Sequence, residues 1–138
     1  GTEKIYEQEA YNLGKTLAEQ NIELVYGGAN VGLMGAVANG VLDNNGKAIG
    51  VLPTFLQKVE IGHDNLTELI LVETMHQRKT KMDELSDGII TPSGRFWNTR
   101  RIFLKCLHGL SSDCIKNRLQ FLTPMEFYDE LYRLYRKW

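Results

Sequence analysis

Two short stretches of this chain carry residue types suited to gripping an anion. Residues 25–35 (VYGGANVGLMG) place Gly27 and Gly28 directly after a β-prone run and shortly before an apolar helical pattern. Without a β-carbon the backbone can take positive φ and let an anion approach its N–H groups, and a helix beginning at Gly32 adds unpaired donors and a positive dipole end. A phosphate or a ribose edge fits such a turn. A strand followed by Gly-Gly is also simply a tight turn, and on these residues alone both readings stand. Gly35 reads as a site of close helix-to-strand packing. Residues 75–79 (MHQRK) set Arg78 and Lys79 one turn after Met75, so a side chain from this turn can point into the same crevice. Arg presents a planar fork of donors matched to phosphate or ribose oxygens. The competing reading is a solvated helix face, since Lys81, Asp83 and Glu84 follow closely. His76 reads as a capping or surface residue rather than a catalytic base.

The elements around these stretches alternate. Residues 5–20 put Ala10, Leu13, Leu17 and Ala18 at helical spacing between charges. Residues 22–26 form a short strand, and from Gly32 the pattern Met34, Val37, Ala38, Val41, Leu42 is helical until Asn44, Asn45 and Gly46 stop it. Residues 48–52 give a second strand closed by Pro53, and 54–65 a loop with one helical turn. Residues 68–72 give a third strand, 75–86 a helix and 88–91 the start of a fourth strand. Short apolar strands alternating with helices predict an α/β fold, a doubly wound parallel sheet with helices on both faces. Ligands of such sheets sit beyond the carboxyl ends of the strands, where Gly27, Met75 and Pro92 all fall.

The chain has 138 residues, 43% hydrophobic and 24% charged, the balance of a single domain (1–138) with a real core. A net charge of −1 supplies no global field toward nucleic acid or an anionic membrane. No apolar run approaches the roughly 18 residues of a membrane span, and residues 1–20 are too polar for a signal peptide, so a cytoplasmic protein is expected. Cys106 and Cys114 are too few for a disulfide scaffold, no Cys or His pair has structural-zinc spacing, and both thiols read as reduced and incidental.

VYGGANVGLMG followed at this distance by MHQRK resembles the LOG family, the cytokinin riboside 5′-monophosphate phosphoribohydrolases, long labelled lysine decarboxylases. The likeness runs from about Lys4 to Thr91 and returns at Phe127, with Ala29 in place of the third glycine of the family's GGG. The resemblance implies a Rossmann-like fold and hydrolysis of the N-glycosidic bond of a nucleoside 5′-monophosphate to free base and ribose 5-phosphate, with neither metal nor organic cofactor. Arg78 would match the family's catalytic Arg, with Gly27, Gly28, Met75 and Lys79 binding substrate. It also implies a homodimer whose interface helices complete the site, with no nucleic acid or membrane partner. Nothing resembles the cofactor-bound Lys of a pyridoxal phosphate decarboxylase.

The family's third element, PGGxGTxEE, carries a phosphate loop and the catalytic Glu. In its place stand Pro92, Ser93, Gly94, Arg95, Phe96, Trp97, Asn98, Thr99, Arg100 and Arg101. The carboxylates are gone, and Arg100 and Arg101 would repel a cationic transition state, so this chain as written is expected to have little or no glycosidase activity and could be a non-catalytic nucleotide-binding module. A reading-frame slip would account for the change, the alternative being a divergent insert with its own chemistry. Residues 93–101 can be written TCC GGG CGG TTT TGG AAC ACT CGA AGA, and starting one base later gives PGGFGTLE. Residues 105–126 likewise yield a family-like helix and strand in another frame. Cys106, Cys114, Trp97 and His108 are then accidents of translation.

Residues 116–123 (KNRLQFLT) lack the pattern of a buried strand, and a central strand there would bury charge, so misplacement or disorder is expected. The chain also starts after the place of the family's first, central strand and stops before its last helices. The fragment is truncated at both ends on this reading, and the helix at 5–20 and the sheet edge are expected to lack partners and be marginally stable.

Overall fold

Left-handed asparagines end the first two helices and turn the chain into the sheet. The computed structural model describes residues 2–30, 32–57, 65–92, 102–106 and 118–121. Helix α1 (Thr2–Glu19) closes at Asn21, φ 58°, where the Asn21 N–H bonds the Ala18 carbonyl and the Ile22 N–H bonds that of Leu17. Helix α2 (Gly32–Asp43) repeats the device at Asn45, φ 65°, with the Gly46 N–H on the Val41 carbonyl. Both are the paired-bond stop that satisfies last-turn carbonyls, with Asn tolerating the left-handed region. Strands β1 (Glu23–Tyr26) and β2 (Ala48–Pro53) follow these stops directly.

A 3₁₀ turn (Thr54–Leu56), β3 (Glu68–Val72), α3 (Met75–Leu85), β4 (Gly88–Pro92), β5 (Ile102–Cys106) and β6 (Arg118–Phe121) complete the described chain. The sheet order is β3-β2-β1-β6-β4-β5. All pairings are parallel except β4 with β5, so the expected parallel sheet acquires an antiparallel edge. Alternation along the strands feeds two cores. Leu24, Tyr26, Ala48, Ile90, Leu119 and Phe121 pack with Ala10, Leu17, Val37 and Val41 of α1 and α2, whereas Val25, Ile49, Val51 and Ile89 pack with Met82 of α3. Helices therefore cover both faces, as the alternating pattern predicts.

Helix α1 does not lack a partner. A β-carbon on Gly14 would overlap the Val37 carbonyl, and one on Gly40 the Tyr11 carbonyl, so the two backbones touch through reciprocal glycines. The Tyr11 hydroxyl donates to Asp43 Oδ2 at 3.0 Å beside this contact, and the carboxylate accepting its proton raises the phenol pKa.

The expectation for residues 116–123 also needs correction, for Arg118–Phe121 stands in the middle of the sheet between β1 and β4. Charge burial is avoided because Arg118 sits at the strand's entrance, half-exposed, with its guanidinium on Glu23. The polar cost falls on Gln120, fully buried, whose Nε2 donates to Asp83 Oδ1 at 3.0 Å while its Oε1 has no hydrogen-bond partner among the described residues. Ile102–Cys106 forms a strand that the sequence pattern did not reveal. Residues 93–101, with the missing carboxylates, and His108 and Cys114 lie outside the described residues.

Candidate functional site

The two sequence clusters meet at the carboxyl ends of β1 and β2. Strand β1 ends at Tyr26, buried completely, and its hydroxyl donates to the Ala29 carbonyl at 3.0 Å, tying off the glycine turn from inside. Burial pushes this phenol far above its usual range, so at ordinary pH it stays a neutral donor. Gly28 has φ +84° and Gly32 φ +71°, conformations that an L side chain rarely adopts. Gly27 does not use positive φ, contrary to the reason first advanced for it. Its missing β-carbon makes room for a guanidinium: the nearest atoms to that position all belong to Arg78. Gly35 differs too, since the atoms a β-carbon there would strike are the backbone of Asn30, so it lets α2 close onto the turn rather than onto a strand.

Arg78 reaches the turn from α3. Its Nε donates to the Val51 carbonyl of β2 at 3.0 Å, and Nη1 lies 4.0 Å from the Met75 sulfur. One donor is thereby spent on the scaffold, and the two terminal amino groups form a fork at the mouth of the turn. Helix α3 is capped by Thr74, whose side chain accepts from the Gln77 N–H at 3.0 Å, while Gln77 Oε1 accepts from the Glu73 N–H at 2.8 Å. The cap thus belongs to these residues, and His76 is exposed.

Of the residues singled out in the sequence, Gly27, Arg78 and Met75 come together. Gly28 faces Leu69 and the Cα of Gly50 instead. Lys79 is half-buried at the next helical position and is not among the nearest neighbours of either glycine. Tyr26, Val51 and the cap were not anticipated. A backbone carbonyl such as that of Val51 carries no side-chain signal, whereas Thr74 and Gln77 were readable as a T-x-x-Q helix start. Leu69, Leu71, Phe55 and Met75 are exposed near this edge. A cavity of about 470 Å³ lies at the opposite end of the strands, where Glu23, Glu84 and Asp87 crowd Arg118, a poor setting for a phosphate.

This is an α/β protein with a glycine turn and an arginine fork at one sheet edge. The family described as "possible lysine decarboxylase" matches residues 34–138, and the chain belongs to it. The chain is 44% identical over 99 residues to a cytokinin riboside 5′-monophosphate phosphoribohydrolase of Rhodococcoides fascians, covering 71% of this chain and 50% of that protein. It is 38% identical over 129 residues to the cytokinin riboside 5′-monophosphate phosphoribohydrolase LOG of Oryza sativa subsp. japonica, covering 94% and 53%. The chain spans about half the length of these curated relatives. Among solved structures, the molybdenum cofactor carrier protein of Chlamydomonas reinhardtii superposes with a TM-score of 0.54 at 21% identity over 95% of this chain and 75% of that one, a likeness of fold. Among the described residues, no helix is long and apolar enough to cross a membrane.

Proposed function

We propose that this chain binds a nucleoside 5′-monophosphate at the glycine turn and that the reaction of its complete active form is hydrolysis of the N-glycosidic bond to free base and ribose 5-phosphate. The observation that carries this reading is the Arg78 fork lying on Gly27, beside the positive-φ Gly28 and the start of α2. Backbone N–H groups and a cation then converge on one anion. The names of the relatives support the same substrate class. Gly27 and Gly28 take the phosphate or ribose edge, Arg78 orients the substrate, and Met75 and Lys79 flank it.

Stabilising the oxocarbenium-like centre requires a carboxylate, and residues 93–101 hold none. The chain as written therefore acts as a nucleotide-binding module, and the coding DNA, read across residues 93–126, decides whether a frame slip is the reason. Calorimetry with AMP beside an assay for released adenine tests the reading. Binding without release is expected. Absence of binding defeats the substrate assignment, and release of adenine defeats the requirement for the lost carboxylate. We further propose a cytoplasmic homodimer, in which a second copy covers exposed apolar side chains such as Leu69 and Leu71. Light scattering that returns a monomer at all concentrations would count against it.

A further inference from the structure

We propose that the reciprocal cap of Thr74 and Gln77 is a positioning device for the Arg78 guanidinium; its functional sense rests on the nucleotide reading above. Thr74 is extended, φ −131° and ψ 162°, and its hydroxyl oxygen accepts from the Gln77 N–H while the Gln77 amide oxygen accepts from the Glu73 N–H. The Arg78 N–H is next in line, bonded to the Thr74 carbonyl at 3.0 Å. The cap therefore sets the backbone from which the Arg78 side chain departs.

Among the described residues, little else holds that turn. Thr74, Met75, His76 and Gln77 are all exposed, and the buried residue of α3, Met82, lies further along the helix. A helix start with few buried contacts opens readily unless its free N–H groups are satisfied. Arg78 must nevertheless span from α3 to the Val51 carbonyl of β2 and come to rest on Gly27, just past the end of β1. Thr74 and Gln77 act through Arg78 and are positioning residues.

The test compares Thr74→Ala with Thr74→Ser, with Arg78→Ala as reference. Two quantities are read: solvent exchange of the Arg78 Nε–H by heteronuclear NMR, and AMP affinity by calorimetry. Thr74→Ala is expected to speed exchange of the Nε–H and weaken AMP binding by up to about fivefold, the fold-change that loss of one cap can produce. Thr74→Ser, which keeps the acceptor, restores both. A lowered melting temperature with unchanged Nε–H exchange and unchanged affinity overturns the proposal, for that is a cap serving stability alone. Gln77→Ala removes the other half of the cap and is read the same way if Thr74→Ala does not fold. Should Arg78→Ala bind AMP as well as the parent, or the parent not bind it, the nucleotide reading fails separately and Nε–H exchange still decides the positioning role.

Discussion

The Arg78 guanidinium rests on the Cα of Gly27, in the space a β-carbon would fill. Glycine here is a seat for a side chain from another element rather than a turn former. Gly27→Ala is therefore expected to dislodge the fork. The terminus of a flexible arginine moves easily and alanine reduces the freedom of the unfolded chain, so stability changes by about 1 kcal/mol at most. AMP affinity should fall about tenfold, equivalent to ~1.4 kcal/mol, and the loss should not add to that of Arg78→Ala. Additive losses in calorimetry would show that the two residues act separately.

Gly28 is demanding for a different reason. A β-carbon there meets ordinary contacts with Leu69, Gly50 and Leu52, but φ is +84°. Gly28→Ala should cost roughly 1–2 kcal/mol from backbone conformation alone. Gly35→Ala forces a β-carbon into the Asn30 carbonyl and should cost about 1–3 kcal/mol through displacement of the turn. Urea denaturation ranks the pair, and a neutral Gly35→Ala would contradict the close approach of α2.

Tyr26 predicts a stability loss in alkali. Burial raises its pKa above the ordinary 10.0, so the native state keeps a proton that the unfolded chain releases. Its contribution is fully present below pH 10 and declines above it, by up to ~1.4 kcal/mol per pH unit. Tyr26→Phe should lose about 1 kcal/mol at neutral pH with the bond to the Ala29 carbonyl, then show a shallower decline between about pH 10 and pH 11. Parallel declines for parent and variant would argue against a buried, neutral phenol.

Gln120 offers a test of the central strand. Its Oε1 is buried without a partner among the described residues, and its Nε2 holds Asp83. Gln120→Leu exchanges one hydrogen bond for relief of an orphaned acceptor, so the variant should be neutral or more stable by about 1 kcal/mol. A clear loss in thermal melts would show that the amide serves the core better than an apolar side chain.

Much of this architecture was legible because local pattern and burial agree. Residues 68–72 and the start of the next helix at Met75 were readable from an apolar run followed by a change of period. Asn45 and Gly46 marked the end of α2 because few residues tolerate that backbone. Strand β6 was hidden by its composition, since Arg118 and Gln120 contradict the apolar run of a central parallel strand. Its place is set by pairing with β1 and β4, which no local window contains. The seat of Arg78 on Gly27 was partly readable: the residue types were correct, but the reason for Gly27 required knowing that α3 crosses the end of β1.

The central position of β6 makes it the hydrogen-bonded seam of the sheet. Among the described strands, the block β3-β2-β1, bearing the glycine turn and the Val51 anchor of Arg78, is laced to β4 and β5 through four residues. The strands on either side of it still share cores, since Ile89 packs with Val25, Val51 and Met82, and Ile90 with Leu24 and Tyr26. Pulling the two blocks apart would therefore load side-chain packing on both faces of the sheet as well as the hydrogen bonds of one short strand.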